Sequence, residues 1–383
     1  MGFALLPVLV SVLTIQYSAA QSFKCSSSYP STCHALVGYI TVNNTNLGAI
    51  QSLFSVKNLR SLLGANNLPL NTKRSYAIPA QQVIKVPINC LCNNNTGTSS
   101  GAPIYTVQPG DGLYHIAAEV FSRLLLFQQI AAANNIRDVN LITIGDKLKI
   151  PLPCSCDEVD GQKVVHYAHM VKSGSSLGEI AQEFGTNEET LARINGIKAD
   201  SDLKADQPID VPLKACNSSI SGDSFDFPLL AANGTYLFTA NGCVKCMCDA
   251  ANNWTKVYIF KPLTISGILA LQSANFHIIY NYAVLVRLHC EPSQNKPSKW
   301  DTCPSMKCQG AEGLSIGNST AAGCNRSTCS YAGFNNSTIM TTLVQDSSSC
   351  SRTASPPSND VSRINSSWDC LFILVVLCFH LFQ

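Results

Sequence analysis

The sequence has little charge and no excess of either sign. Lys and Arg number 26 and Asp and Glu 24 among 383 residues, so charged side chains make up only 13% of the chain. Proteins that hold nucleic acid or an acidic membrane surface through net charge carry a basic surplus. The balance argues against nucleic acid as a partner and favours an uncharged ligand.

The amino-terminal apolar run, Phe3 to Ile15, lacks the length of a membrane span, and no Lys or Arg precedes it. It has about a dozen apolar residues, whereas a bilayer-spanning helix needs roughly 20. Ser18, Ala19 and Ala20 follow and match the small-residue rule for signal-peptidase cleavage. We expect residues 1–20 to be a signal peptide cleaved before Gln21, with a membrane anchor as the alternative.

The carboxy-terminal apolar run, Leu371 to Phe382, lacks the basic cluster that usually follows a stop-transfer helix. The small residues from Ser358 to Asp360 and a polar spacer lie upstream, which is the arrangement of a GPI-attachment signal. We expect a linker and such a signal in residues 351–383, with the lipid at Ser358 or Asn359. A short tail-anchored helix is the alternative.

Cysteine is abundant. Two of the 18 cysteines, Cys370 and Cys378, lie in the predicted discarded tail and leave an even set of 16. In a secreted chain this set indicates a disulfide framework rather than metal ligands. Glycosylation sequons support secretion; they are at Asn43, Asn94, Asn217, Asn233, Asn253, Asn318, Asn325, Asn335, Asn336 and Asn365.

An internal repeat organises the first half of the chain. Cys-x-Cys pairs at Cys90 and Cys154, and then Cys216, fall at nearly equal intervals. Each interval closes with a predicted strand that ends in proline, at Pro87, Pro151 and Pro212. The predicted units are 23–92, 103–156 and 165–216, followed by a Cys-rich module, 217–350.

The second unit shows the repeat most clearly. A strand pattern at 104–107 leads into a turn at 108–112, and Leu113, Ile116, Ala117 and Val120 then recur at helical spacing. A second helix is predicted from about Phe127 to Asn134 before the closing strand. The order strand, helix, helix, strand predicts two antiparallel strands with both helices packed on one face.

These residues resemble a known family. The pattern Tyr105-x-Val107-x-x-Gly110-Asp111-x-Leu113, followed by Asn134 or Asn135 and by Gly145-x-x-Leu148-x-Ile150-Pro151, is similar to the lysin motif (LysM). Three such units between a signal peptide and a GPI signal resemble plant LysM domain-containing GPI-anchored proteins. The segments 56–69 and 164–169 look most like the chitin elicitor-binding branch.

The resemblance implies an α+β fold: three tandem βααβ LysM domains clamped by disulfides, followed by a small, Cys-rich, β-rich module. It also implies the pairing, which spacing alone could not supply. The implied bridges are Cys25–Cys92, Cys33–Cys156 and Cys90–Cys154.

In LysM domains the ligand groove lies between the strand-to-helix turn and the loop from the second helix to the closing strand. The resemblance places these at Gln108, Pro109, Gly110, Asp111, Gly112, Leu113 and Tyr114, the first loop, and at Ile136, Arg137, Asp138, Val139, Asn140, Leu141 and Ile142, the second loop. Ile136, Val139 and Leu141 are expected to form an apolar floor for acetyl methyl groups. Alternatively, Gly110 and Asp111 only form the turn and cap the helix.

Two further features weaken particular contacts. Gly112 stands where the family often has Thr or Ser, which removes a hydroxyl from the first loop. The corresponding loops of the first unit (43–47 with 68–72) and third unit (172–176 with 197–202) are weaker candidates. A glycan on Asn43 would crowd the groove of the first unit.

The implied function is a non-catalytic receptor that binds chitin oligosaccharides, polymers of N-acetylglucosamine, for plant defence signalling. The implied partner is a LysM receptor-like kinase, and long oligomers could bridge two copies into a homodimer. No cofactor or metal is expected. The location is the extracellular face of the plasma membrane, held by the GPI lipid, which can include plasmodesmata.

Other functions stay open at this point. The ligand could be peptidoglycan or a lipochitooligosaccharide. A more remote alternative is a wall-targeted glycoside hydrolase, which needs two positioned carboxylates about 5 to 10 Å apart. The candidates are Asp157, Glu158, Glu179 and Glu183, which lie inside or between small binding units without a catalytic domain around them.

The Cys-rich module holds two uncertainties. Cys243, Cys246 and Cys248 could bind zinc, although secretion favours disulfides. Residues 257–286 form an apolar stretch without cysteines, which is incongruous in a disulfide module. We interpret it as a retained-intron insertion, with a transmembrane span as the alternative.

Overall fold

The computed structural model describes residues 23–26, 31–101, 103–217, 220–248, 288–293, 297–323 and 325–346. The predicted signal peptide, GPI-attachment signal and 257–286 insertion lie outside the described residues, as do Asn253 and Asn365. No helix in the described part of the chain is long and apolar enough to cross a bilayer.

The first unit has two helices between two long strands. Its elements are β1 (Ser31–Ile40), β2 (Thr45–Asn46), α1 (Leu47–Leu53), α2 (Leu59–Ala65), β3 (Ala77–Ile78), β4 (Val83–Asn93) and β5 (Thr96–Ser99). Strand β1 pairs antiparallel with β4 from Ser31 opposite Cys92 to Ile40 opposite Val83. Asn46 and Asn58 cap the two helices by accepting hydrogen bonds from N–H groups of the first turn.

The second unit repeats this order with short strands. Its elements are β6 (Ile104–Thr106), α3 (Leu113–His115), which continues as a π-helical turn (Ile116–Val120), α4 (Phe127–Ala133) and β7 (Lys147–Lys149). Strands β6 and β7 pair antiparallel. The predicted helical face is buried, since Leu113, Ile116 and Ala117 are at most 3% exposed.

The third unit contains β8 (Val164–Met170), α5 (Leu177–Phe184), α6 (Glu188–Asn195), a 3₁₀ turn (Asp200–Asp202) and β9 (Pro208–Asn217). Strands β8 and β9 pair antiparallel. The prediction that the closing strands end in proline is wrong for two units, because β4 continues through Pro87 and β9 through Pro212. A proline removes one donor from the ladder, and the neighbouring pairs on either side continue it.

The first and third units share one sheet. In this sheet, β9 and β8 of the third unit are followed by β1, β4 and β5 of the first unit. Strands β1 and β8 are parallel, with Leu36 opposite Tyr167. Gly38 permits this approach, because a Cβ at that position would lie 2.3 Å from the Tyr167 hydroxyl oxygen.

The first and second units share one hydrophobic core. Phe54 of the first unit contacts Phe121 of the second edge to face, with ring centroids 5.6 Å apart. Tyr39 and Tyr105 extend this contact on either side.

Three disulfides brace these units: Cys33–Cys156 and Cys90–Cys154 join the first unit to the second, and Cys25–Cys92 lies within the first. They are the pairs that the resemblance implied. They close sequence separations of 67, 123 and 64 residues. In the chain-entropy model, closing a loop of this size raises the free energy of the unfolded state, and so stabilises the fold, by about 4 to 5 kcal/mol.

The Cys-rich module is built from strands. They are β10 (Leu230–Ala232), β11 (Thr235–Thr239), β12 (Val244–Cys248), β13 (His289–Pro292), β14 (Lys307–Cys308), β15 (Ala311–Ser315), β16 (Ser319–Ala322), β17 (Asn325–Phe334) and β18 (Ile339–Asp346), with a 3₁₀ turn at Ala240–Gly242. The structure pairs Cys216 with Cys248, Cys243 with Cys303, Cys246 with Cys290 and Cys308 with Cys329. The three candidate zinc cysteines are therefore all in disulfides.

The module packs on the repeats. Strand β10 pairs with β9 and extends the shared sheet. The Tyr236 hydroxyl donates a hydrogen bond to the Leu68 carbonyl, 2.5 Å away. By its internal contacts the chain divides into two compact units, and all three repeats belong to the larger one.

Candidate functional site

The two predicted groove loops of the second unit start from one hydrogen-bonded base. The Val107 N–H donates to the Asp146 carbonyl, and the Gly145 N–H donates to the Val107 carbonyl, each at 2.9 Å. Gly145 has φ +93°, in the left-handed region that glycine tolerates. This base holds the start of the first loop beside the end of the segment that contains the second loop.

The other units have the same base. In the first unit Thr41 exchanges backbone hydrogen bonds with Gln81 and Gln82, and in the third Val171 does so with Asp206 and Gln207. Gln81 and Asp206 also have positive φ, as Gly145 does. The three units therefore share one backbone framework although their loop sequences differ.

In each unit an asparagine at the end of the second helix joins that helix to the closing strand. The Asn134 amide group donates to the Ile130 and Lys149 carbonyls and accepts from the Lys149 N–H, all at 2.8 Å. Asn66 and Asn195 make the equivalent bonds in the other two units. The sequence left Asn134 and Asn135 as alternatives for this position, and the structure places Asn134 there.

Asp111 organises the first loop from within. Its carboxylate accepts hydrogen bonds from the Tyr105 hydroxyl at 2.8 Å and the Gln108 N–H at 2.7 Å, and it lies 2.9 Å from His115 Nδ1. Its side chain is only 3% exposed. Burial by itself raises the pKa of Asp111, but the hydrogen bonds from Gln108, Tyr105 and His115 outweigh burial and lower the pKa. The carboxylate is thus ionised, and its oxygens are already engaged in hydrogen bonds within the first loop. This suits a residue that positions the turn.

The backbone of the first loop remains open to solvent. Gln108, Pro109 and Gly110 are exposed, and Gly110 has φ +86° with no atom within 4 Å of the place where a Cβ would lie. Gly112 is the N-cap residue of α3 and makes no side-chain hydrogen bond. A Thr or Ser, which the family often has at this position, would offer a hydroxyl that Gly112 lacks.

The three expected floor residues differ in exposure. Leu141 is 75% exposed, whereas Ile136 and Val139 are partly buried against the shared core, as is Ile142. Ile136 and Val139 therefore fix the second loop to the core, and Leu141 presents its side chain to solvent.

Charge in the second loop is balanced. Arg137 and Asp138 are both exposed. Asp138 Oδ1 accepts a hydrogen bond from the Asn140 N–H at 3.0 Å, and the Leu141 N–H bonds the Asp138 carbonyl at 3.0 Å. The loop is a hydrogen-bonded turn whose net charge is near zero.

Sequence reasoning overlooked two residues here. His115 orients Asp111, and the spacing of four residues on a helix could have indicated that contact. Ile144 lies beside the base and is 63% exposed. It belongs to the turn in which the Asp146 N–H donates to the Thr143 carbonyl, and this turn holds its side chain outside the core.

The sequon asparagines whose side chains the structure describes are all exposed, as glycosylation requires. They are Asn43, Asn94, Asn233, Asn318, Asn325, Asn335 and Asn336.

The LysM domain family matches residues 105–151 and 169–212, which are the second and third units. LysM domain-containing GPI-anchored protein 2 of Arabidopsis thaliana is 47% identical over 378 residues, which span 97% of this chain and 96% of that protein. The chain belongs to the plant family of LysM domain-containing GPI-anchored proteins.

A second LysM relative is the chitin elicitor-binding protein of Oryza sativa subsp. japonica. It is 35% identical over 370 residues, 94% of this chain and 93% of that protein. A crystal structure of the ectodomain of a receptor-like kinase aligns with 49% of this chain and 94% of its own, at 22% identity and a TM-score of 0.41. That score is too low to add to the LysM assignment.

Proposed function

We propose that this LysM protein is a non-catalytic cell-surface receptor that binds chitin oligosaccharides in the groove between the first and second loops of its second unit. The observation that carries the proposal is the pair of loops on one hydrogen-bonded base, with exposed backbone and an exposed Leu141 but no surplus charge. Chitin is uncharged, so its recognition depends on hydrogen bonds to hydroxyl and acetamido groups and on apolar contact with acetyl methyl groups.

The relatives support this choice of ligand. A chitin elicitor-binding protein shares 35% identity over nearly the whole chain. In the second unit the contact residues would be the exposed backbone of Gln108–Gly110, the side chain of Tyr114 and the segment Asp138–Leu141, with Asp111 holding the turn rather than touching sugar.

Two of the four acidic residues considered for hydrolysis, Asp157 and Glu179, have structural partners instead. The Asp157 carboxylate accepts hydrogen bonds from the Ser26 N–H at 2.8 Å. Glu179 accepts from the Ser176 N–H at 2.9 Å and completes a capping box at the start of α5. These roles support a binding protein over a glycosidase.

We infer that signalling passes through a partner LysM receptor-like kinase at the extracellular face of the plasma membrane, where a GPI lipid on Ser358 or Asn359 would hold the protein. The family's GPI-anchored members support the anchor. Plasmodesmata are one location where such a protein could act.

Calorimetric titration of the secreted, disulfide-intact protein tests the ligand. We expect heat on addition of chitin octamer and none with a muropeptide. Leu141→Asp should weaken octamer binding by about tenfold or more, because a charge replaces apolar contact.

The matched control is Leu70→Asp, which changes an exposed leucine in the corresponding loop of the first unit; we expect little effect there. Binding of muropeptide but not chitin would refute the chitin assignment. Equal losses for Leu70→Asp and Leu141→Asp would refute the assignment to the second groove.

A further inference from the structure

A strip of three aromatic rings lies on the surface of the Cys-rich module. The Phe225 and Phe334 rings meet edge to face with centroids 5.7 Å apart, and the Trp300 ring meets Phe334 in the same way at 6.0 Å. Phe225 is 61% exposed, and the other two are partly exposed where they rest on the core of the module. Contiguous apolar surface of this kind marks a place where another group binds.

The strip lies beside the turn, residues 335–338, that connects β17 to β18. The Asn335 N–H donates to the Thr338 carbonyl at 3.0 Å. Asn335 Oδ1 accepts hydrogen bonds from the Ser337 N–H at 3.1 Å, the Thr338 N–H at 2.9 Å and the Thr338 hydroxyl at 2.8 Å. The Asn335 side chain therefore holds the turn together.

Asn336 is the residue of this turn that meets the strip. Trp300 Nε1 donates a hydrogen bond to the Asn336 carbonyl at 2.9 Å, so the indole ring lies against the backbone at that residue. Phe334, the last residue of β17, precedes Asn336 by two positions. Asn336 itself is exposed. A group attached to its side chain thus starts beside the Trp300 and Phe334 rings.

Two glycosylation sequons overlap in the turn, Asn335-Asn336-Ser337 and Asn336-Ser337-Thr338. A glycan is bulky, so adjacent asparagines leave little room for two. The Asn335 side chain is engaged within the turn, whereas Asn336 is exposed and lies next to apolar surface. These contacts favour Asn336 as the glycan's position.

We propose that Asn336 carries an N-linked glycan whose first N-acetylglucosamine residues lie along the strip of Trp300, Phe334 and Phe225. The C–H face of such a sugar and its acetamido methyl group pack on aromatic rings, while its hydroxyl groups stay in water. The glycan then covers the exposed rings and fastens the turn to the module. Chitin binding in the groove is not required for this packing.

Glycopeptide mass spectrometry of the full-length protein secreted from plant cells tests the attachment. We expect a glycan on Asn336 and an unmodified Asn335. Ser337→Ala removes only the Asn335 sequon, so it should leave the glycan in place. A glycan on Asn335 instead, or none on either asparagine, would overturn the assignment.

Thermal unfolding tests the packing. In the Ser337→Ala background, Asn336→Gln removes the glycan and should lower the Tm by about 2 °C or more. Phe334→Ala should reduce this loss, because the ring that the sugar covers is gone. Tyr76→Ala is the matched control, since it removes an exposed aromatic ring of the first unit and should leave the loss unchanged.

Hydroxyl-radical footprinting gives a second measurement that needs no variant of the strip. Labelling of Phe225 and Trp300 should rise when Asn336→Gln removes the glycan, and labelling of Tyr76 should stay the same. Equal labelling of the strip with and without the glycan would overturn the packing even if Asn336 is glycosylated. An equal loss of Tm with and without Phe334→Ala would do the same.

Discussion

At the scale of single residues, one asparagine in each repeat substitutes for a missing backbone partner. The Asn195 side chain is only 5% exposed. It donates to the Leu191 and Asp210 carbonyls at 3.0 and 2.8 Å and accepts from the Asp210 N–H at 2.7 Å. The amide thereby joins the end of α6 to the closing strand β9, where no backbone group is available to do so.

Asn195→Ala should therefore destabilise the protein by about 2 to 4 kcal/mol, since it removes the side-chain partner of the buried Asp210 N–H and carbonyl, at about 1 to 3 kcal/mol each. Urea unfolding with disulfides intact measures the change. Gln182→Ala, at an exposed helix position, should stay within about 0.5 kcal/mol. A loss no larger than that of the control would show that the amide bonds are not required.

His166 is buried with an acceptor at each ring nitrogen. Nδ1 lies 2.9 Å from both Asp210 carboxylate oxygens, and Nε2 lies 2.7 Å from the Asp157 carbonyl. A carbonyl can only accept, so two N–H donors satisfy this geometry best. Burial by itself lowers the pKa of His166, but the charge and hydrogen bond of Asp210, together with Asp157, outweigh burial and raise the pKa above 6.5.

Stability should consequently depend on pH through His166. The folded pKa exceeds the unfolded one, so the contribution is complete below pH 6.5 and is lost as pH rises through the folded pKa. Unfolding free energies of wild type and His166→Gln, measured from about pH 5 to about pH 9, give the test. The difference between the two proteins should shrink with rising pH, and a constant difference would contradict the protonated assignment.

At the scale of elements, the two described strands that flank the unusual apolar segment in sequence are paired with each other. Strands β12 and β13 pair antiparallel, with Met247 opposite His289, and the Cys246–Cys290 disulfide joins them. Residues 257–286 lie in the connection between these two strands. Paired strands can be joined by far shorter loops, so the geometry supports the interpretation of 257–286 as an insertion.

Deletion of residues 257–286 should therefore leave the module folded. About ten residues would still connect the paired strands, which is ample for a hairpin. Disulfide mapping by mass spectrometry should find Cys246–Cys290 in the shortened protein, and octamer binding should be unchanged. Mispaired disulfides or loss of secretion would show that the segment belongs to the native fold.

At the scale of the whole molecule, the three repeats belong to one compact unit, and their loops differ in sequence. The shared sheet joins the first and third units, and the Phe54–Phe121 contact and two disulfides join the first and second, so we expect the grooves to keep their relative positions when a ligand binds. We propose that only the second groove binds, since a glycan on Asn43 would crowd the first groove, and Asp206 at the base of the third unit's loops is held in an ion pair with Arg123.

One groove per molecule predicts a length threshold. A long repeating ligand can occupy grooves of two copies, because binding the first raises the effective concentration for the second. Sedimentation velocity should show a complex of two proteins with chitin octamer and one protein with chitotetraose. A single protein per complex at both lengths would contradict bridging and the proposed homodimer.

The units and their helices were predictable because each depends on local pattern. The buried face at Leu113 and Ile116, the start of α4 at Phe127 and the α+β class follow from periodicity within short segments. The groove loops followed from the LysM resemblance, as did the disulfide pairs. The strand ends at Pro87 and Pro212 were predicted incorrectly, because continuation depends on partner strands that lie far away in sequence.

The sequence by itself determined the repeat, the balance of charge and the composition of the loops, since these are properties of neighbours along the chain. Only the tertiary structure decided that β1 and β8 pair in parallel beside Gly38 and that the Asp111 carboxylate bonds groups of its own turn. It also decided that Tyr114 lines a cavity whose other wall belongs to the third unit. Each depends on which distant groups meet, and that is settled by burial and hydrogen-bond satisfaction across the whole fold rather than by any local pattern.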